Sequence, residues 1–348
     1  MRHNVGHIDA ARDAATPNGA SQRRAPRVGW RLGALLVCGA VAVLLCLVSL
    51  GVGARAIPVA EVWTALLHRD GSRDAIIVWQ LRMPRTMLTV TVGVALAVAG
   101  VIMQAVTRNP LAEPGLLGLN SGASFAVVLA ISVLGVTDVA GFIWFAFAGA
   151  LLAALLVYAL GTADPVRLVL AGAALSASLG ACTGIVTMFD SATFDSYRFW
   201  VVGALATDDP GRTTAILPFV VVGVLLALAL GPALNALALG DDLGTALGVR
   251  VPWVRAGAVT AIVLLCGAAT AAAGPIAFVG LVVPHVLRLL LGPDLRWLLG
   301  FCLPCGPILL LASDITGRVL TRPAEIEAGI ITAFVGAPVL LWLVTRAR

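Results

Sequence analysis

Few side chains in this chain could do chemistry, and their spacing limits what chemistry is open to them. His285 follows Pro284 in an apolar run, with no second His, Cys or carboxylate at ligand spacing. A packed or hydrogen-bonded imidazole suits that setting, and no metal site is expected. Cys302 and Cys305 form a C-x-x-C, a spacing used elsewhere by redox pairs and metal sites. Here it lies inside an apolar helix with no second pair, so both read as small buried side chains. Cys38, Cys46, Cys182 and Cys266 also fall in apolar runs. All 23 basic residues are arginine and none is lysine. A P-loop needs a lysine on the terminal phosphates, so any ATP that drives this protein must be bound and hydrolysed by another polypeptide. No nucleophile and base lie at workable spacing. The chain is therefore not expected to be an enzyme or to bind a cofactor of its own.

Three polar segments remain. Arg82 and Arg85 flank Pro84, which fits a helix start because its missing N–H costs nothing there. Arg108-Asn109-Pro110-Leu111-Ala112-Glu113-Pro114-Gly115 is a short turn stiffened by two prolines. It is either an ordinary interhelical loop or a rigid element at the end of a pore. Asn235 to Val251 breaks an apolar pattern with Gly240, Asp241, Asp242 and Gly244, and holds short amphipathic pieces. Asp241 and Asp242 suit a helix start.

The elements that must carry these segments are membrane helices. Of the 348 residues, 60% are hydrophobic and 12% charged, about half the charge of an ordinary soluble domain. A soluble fold of that composition would expose large apolar patches, whereas lipid removes the difficulty. The net charge of +5 comes with arginines clustered before the first apolar run and implies no nucleic-acid partner. Ten spans are expected, near 32–53, 86–106, 115–134, 139–160, 167–188, 213–234, 254–273, 276–291, 298–315 and 326–345. The eighth is short and bracketed by Gly274-Pro275 and Gly292-Pro293. Residues 1–29 read as a disordered basic tail ahead of a membrane domain over 30–348. Placing that tail in the cytoplasm puts most arginines on that side and returns the carboxyl terminus there. Two five-span halves, about 30–200 and 201–348, would lie in opposite orientations, an inverted-repeat layout. Charge within the spans is sparse. Asp314 is the nearest candidate, expected at the outer interface, and the scarcity argues against a proton-coupled carrier.

The stretch from Gln80 to Ala130, with LRMPR, TRNPLAEPGLLG and NSGAS, closely resembles the FecCD family of ABC importer permeases. GPIAFVGLVVPHVLRLLLG at 274–292 and ASDITGRVLTRPAEIEAGIITAFVGAPVLLWLV at 312–344 extend the resemblance over about 32–346. Glu327, where the family often has proline, and Asp294-Leu295-Arg296, where it often has DHR, depart from the pattern. The resemblance implies an all-α, ten-helix subunit of the bacterial cytoplasmic membrane. It would pair with a second permease, stand on an ABC ATPase dimer and receive its load from an extracytoplasmic binding protein. The implied cargo is a ferric siderophore, with vitamin B12 and haem as alternatives, moved by alternating access. By position, Arg82, Arg85 and Arg318 match outer arginines that face acids on the binding protein, and as exposed charges they would steer docking. Headgroup anchoring at the interface is the alternative that the residues alone leave open. Asn109 and Leu111 match a cytoplasmic gate. Gly240, Asp241, Asp242, Gly244, Leu247 and Gly248 fall in the loop that couples to the ATPase. A stand-alone secondary transporter is the competing class, and it lacks the buried ionisable residues it would need.

Overall fold

The computed structural model describes residues 28–346, apart from 54, 70, 137–138, 162–164, 208 and 210. The expected tail over 1–29 falls almost wholly outside the described residues. All regular structure among the described residues is helical. The long helices are α1 (Val28–Gly51), α4 (Met83–Thr107), α5 (Leu119–Leu134), α6 (Val139–Gly161), α7 (Pro165–Phe189), α9 (Gly211–Leu237), α11 (Val251–Ala273), α12 (Val279–Leu291), α13 (Leu295–Leu320) and α14 (Ala328–Arg346). Each coincides with one expected span. Among the described residues seven helices are long and apolar enough to cross a membrane, and α5, α12 and α14 supply shorter apolar stretches.

Four short helices were not read as spans. α2 (Val59–Leu67) and α3 (Arg73–Ile76) lie between α1 and α4, and a π-helical turn, Ile77–Arg82, runs directly into α4. α8 (Ser191–Val201) is capped by Asp190, whose carboxylate accepts from Thr193 N–H at 3.1 Å. α10 (Asp241–Ala246) lies inside the Asn235–Val251 segment.

α4 is the central post, packed against α13, α11, α9 and α12. Small residues set those crossings, as expected where lipid gives no hydrophobic drive for helices to associate. A Cβ on Gly100 would stand 1.9 Å from the Gly280 carbonyl oxygen, and one on Gly306 would stand 2.2 Å from that of Gly93. α1 presents Leu36, Val37, Val43 and Leu44 outward, a face fit for acyl chains. α12, at 13 residues, spans only about 20 Å and is too short to cross a hydrocarbon core of about 30 Å. Its first turn meets Gly100, well inside α4. Irregular backbone over 274–278 therefore lies at depth, where it is tolerated only when packed in protein. Gly274, at φ 74°, is held under the Trp200 carbonyl, and Phe278 takes the left-handed conformation at φ 69° before α12 begins.

Candidate functional site

The functional residues gather at the two ends of α4, which lie about 37 Å apart over its 25 residues. At the N-terminal end, Arg85 stands one turn into the helix, and Asp314 and Arg318 lie one turn apart on α13. The Arg85 guanidinium donates to Asp314 Oδ1 from Nε at 3.0 Å and from Nη2 at 2.7 Å, and to Glu325 Oε2 from Nη1 at 2.6 Å. Arg318 Nη2 donates to Asp314 Oδ2 at 2.5 Å and to Ser49 Oγ at 2.6 Å. Its Nη1 donates to the carbonyls of Ser49 and Val52, each at 2.9 Å. Asp314 is thus a buried carboxylate shared by two arginines, and through Arg318 it ties α13 to the end of α1.

Arg82, on the π turn, donates to the carbonyls of Leu50, at 2.6 Å, and Arg55. Among the described residues no carboxylate lies within ion-pair distance of it. These groups line a cavity of about 500 Å³, with Arg55, Arg82, Arg85, Arg318, Thr207 and Glu325 in its wall.

One expectation changes here. Arg82, Arg85 and Arg318 are buried at 7%, 8% and 2% exposure, so within this chain they are not free surface charges. Asp314, expected from sequence near the outer interface, is fully buried within the protein. Two paired guanidiniums offset the cost of burying its charge. Asp314 and Glu325 were missed as partners of the arginines. The i,i+4 spacing of Asp314 and Arg318 was a readable signal, whereas the Arg85 contact, 229 residues away in sequence, was not.

At the other end, α4 stops because Arg108 turns left-handed at φ 50° and Pro110 cannot continue the helix. Asn109 Oδ1 accepts from Leu111 N–H at 2.9 Å and Ala112 N–H donates to the Asn109 carbonyl at 3.1 Å, so the turn is closed on itself. Asn109 is exposed, Leu111 half-buried and Ala112 fully buried. Glu113 Oε1 accepts from Phe278 N–H at 2.5 Å. Burial raises the Glu113 carboxyl above its ordinary pKa, and the Phe278 hydrogen bond opposes that only in part. The chain then runs through a 3₁₀ turn, Pro114–Leu117, into α5. His285, half-buried on α12, hydrogen-bonds the Pro110 backbone of this loop, whereas Cys302 and Cys305, free thiols on α13, take no part in either cluster.

The segment Asn235–Val251 folds back as α10. Gly240, at φ 122°, makes the sharp entry into it, and Gly248, at φ 84°, the exit. Gly244 is buried against α9, while Asp242 faces out. Asp241 accepts from Arg255 at 2.9 Å and pairs with Arg108. Leu239, Leu243 and Leu247 are each more than half exposed and spaced four apart, which gives this protruding end an apolar ridge. Arg108, Glu113 and Arg255 were missed because their partners lie on other elements of the fold.

Comparison with known proteins agrees with this arrangement. The FecCD transport family matches residues 41–346. The ferric enterobactin transport system permease protein FepD of Escherichia coli (strain K12) is 44% identical over 303 residues, covering 86% of this chain and 90% of that one. The hemin transport system permease protein HmuU of Yersinia pestis is 36% identical, covering 90% and 96%. A solved metal-chelate type ABC transporter in an inward-facing conformation superposes with a TM-score of 0.80 at 28% identity, covering 90% of this chain and 99% of that one. Motifs, helix order and superposition therefore agree along nearly the whole membrane domain, and this chain is a multi-pass membrane protein belonging to the FecCD transport family, a transport subunit that leaves ATP hydrolysis to a separate chain.

Proposed function

We propose that this permease imports a ferric siderophore across the bacterial cytoplasmic membrane by alternating access, with both termini in the cytoplasm. The observation that carries the reading is the apposition, at one end of α4, of a stiff loop to a short helix with an exposed leucine ridge. Asn109 and Leu111 form the cytoplasmic gate on that loop. Gly240, Asp241, Asp242, Gly244, Leu247 and Gly248 form the segment that seats in an ABC ATPase dimer. Leu243 and Leu247 give it the apolar surface that a protein groove, and not water, would cover.

The opposite end receives an extracytoplasmic binding protein. Arg82 supports this, because it lines a cavity with its charge unmatched by any carboxylate within the described chain. An acidic side chain entering that cavity would complete the pairing, while Arg85 and Arg318 hold the wall in shape. A second permease subunit covers α7. Gly180 and Gly184 there open onto empty space, a surface suited to another helix. The iron-chelate permeases among its relatives support iron as the cargo, held within its chelator and not ligated by this chain.

Uptake in cells lacking this chain, with and without a plasmid copy, tests the reading. Radio-iron would be supplied as ferric siderophores and as haem, and radio-cobalt as vitamin B12. Restored ATP-dependent siderophore uptake, with an ATPase copurifying, is expected. Restored cobalt or haem uptake alone would replace the cargo and keep the architecture. Uptake independent of ATP or of any partner ATPase would refute the importer itself. Arg82→Gln should weaken binding-protein association by about tenfold and reduce its salt dependence, measured on immobilised transporter. Unchanged affinity would remove Arg82 from docking.

A further inference from the structure

The loop between α4 and α5 is fastened at both ends to different parts of the molecule. At its start the Arg108 guanidinium donates to the Leu237 carbonyl, the last residue of α9, at 3.1 Å, and to the carboxylate of Asp241, the first residue of α10. Asp241 is held from its other side by Arg255 of α11, at 2.9 and 3.2 Å. At its far end Glu113 grips the Phe278 N–H in front of α12. Between the two anchors the chain is closed by the Asn109 turn, and Pro110 and Pro114 fix its φ angles.

We propose that the Arg108–Asp241 pair is the link that carries displacement of α10 into the 108–118 loop and so moves the inner gate. The inference rests on reading α10 as the ATPase-coupling helix and the loop as the gate. Arg108 is then a positioning residue that touches neither cargo nor nucleotide.

Three observations favour transmission over simple stabilisation. The pair is well exposed, with side-chain exposures of 38% and 44%, and such pairs add little to folding stability. Among the described residues Arg108 supplies the only hydrogen bond between the loop and α10. One nitrogen of the planar guanidinium, Nη2, donates to both the α9 terminus and the α10 carboxylate, and the residue that carries it directly precedes Asn109. A shift of α10 therefore reaches Asn109 through one side chain, and the closed turn beyond it pivots where His285 and Glu113 hold the loop against α12 and its entry.

Hydrogen–deuterium exchange on the permease–ATPase complex in nanodiscs, with and without ATP, tests this without knowledge of the cargo. In the wild type both 241–250 and 108–118 should change their exchange when ATP binds. Arg108→Gln should keep the response at 241–250 and lose it at 108–118, and in cells the radio-iron uptake that the wild-type plasmid restores should fall by about tenfold. Arg108→Lys, which keeps the charge without the guanidinium, should recover part of both. Asp241→Asn should reproduce the loss from the other side of the pair. A persistent 108–118 response in Arg108→Gln would overturn the proposal. So would a wild type that responds at 241–250 alone, and that result would leave the coupling role intact. No response at either segment would overturn the coupling reading and the link with it.

Discussion

Asp314 is the residue on which the α4 N-terminal end depends. Its carboxylate divides between Arg85 and Arg318, and both guanidiniums are buried beside it. Removing one member of such a set leaves an uncompensated charge out of water, which costs about 3–5 kcal/mol. Asp314→Ala should therefore lower the thermal unfolding temperature of the detergent-purified protein sharply. Asp74→Ala, which breaks the more exposed pair to Arg55 at 3.4 Å, should cost no more than about 1 kcal/mol. Equal shifts would mean that Asp314 is neutral or solvated. The sequence made the three arginines legible as a set but gave the wrong surroundings. It recorded Arg82, Arg85 and Arg318 as basic residues at helix ends, and nothing local to them reveals a carboxylate arriving from another helix. Glu113 carries a second prediction at this scale. Burial raises its pKa in the folded protein, so folding favours the protonated form. Its contribution is most favourable below the unfolded pKa of about 4.3, and stability is lost as pH rises from there through the raised folded value. Glu113→Gln keeps an oxygen to accept from Phe278 and should flatten that decline in a pH series of unfolding temperatures. An unchanged slope would assign the decline to other groups.

At the scale of elements, the helix ladder was readable because membrane spans announce themselves by length and apolarity alone. Even the odd case was legible, since Gly274-Pro275 and Gly292-Pro293 bracket the short α12. What lies between spans was harder. α2, α3 and the π turn occupy 59–82, where mixed polarity gives no single period, and the extra residue per π turn is set by packing and not by composition. That turn matters, because it brings Arg82 under the carbonyls of Leu50 and Arg55. The helix crossings show the same division. Glycines in α4 were visible as small residues, but which of them touches backbone was not. Gly100 does, so Gly100→Ala must push α4 away from α12, at a cost of about 1–3 kcal/mol from overpacking. Gly39→Ala on α1, with nothing within 4 Å of the added carbon, should change stability by no more than about 0.5 kcal/mol. Unfolding of the two variants in the same detergent decides the matter, and a Gly100→Ala protein as stable as Gly39→Ala would mean that the α4–α12 crossing is looser than its geometry.

For the whole molecule, the two clusters form a polarised object with a long α4 post between them. One end gathers buried arginines around a cavity, and the other gathers a stiff loop and a leucine ridge. An importer needs this asymmetry, because the chelate is handed over on one side and the energy is delivered on the other. The arginine bias in sequence oriented the chain only weakly, since most of it resides in the amino-terminal tail and little in the loops that the bias rule weighs most. The polarity of the folded ends gives a firmer basis. Thr321 and Thr245 are exposed at opposite ends, beside the Arg85 cluster and within α10. With the native cysteines replaced by serine or alanine, Thr321→Cys should react with a membrane-impermeant maleimide in intact spheroplasts, and Thr245→Cys only after permeabilisation. The reverse pattern would invert the molecule and exchange the docking and coupling ends. Labelling of Thr245→Cys should also fall when the ATPase is coexpressed, because α10 would then lie in the partner's groove. Equal labelling with and without the ATPase would place the contact elsewhere on that face.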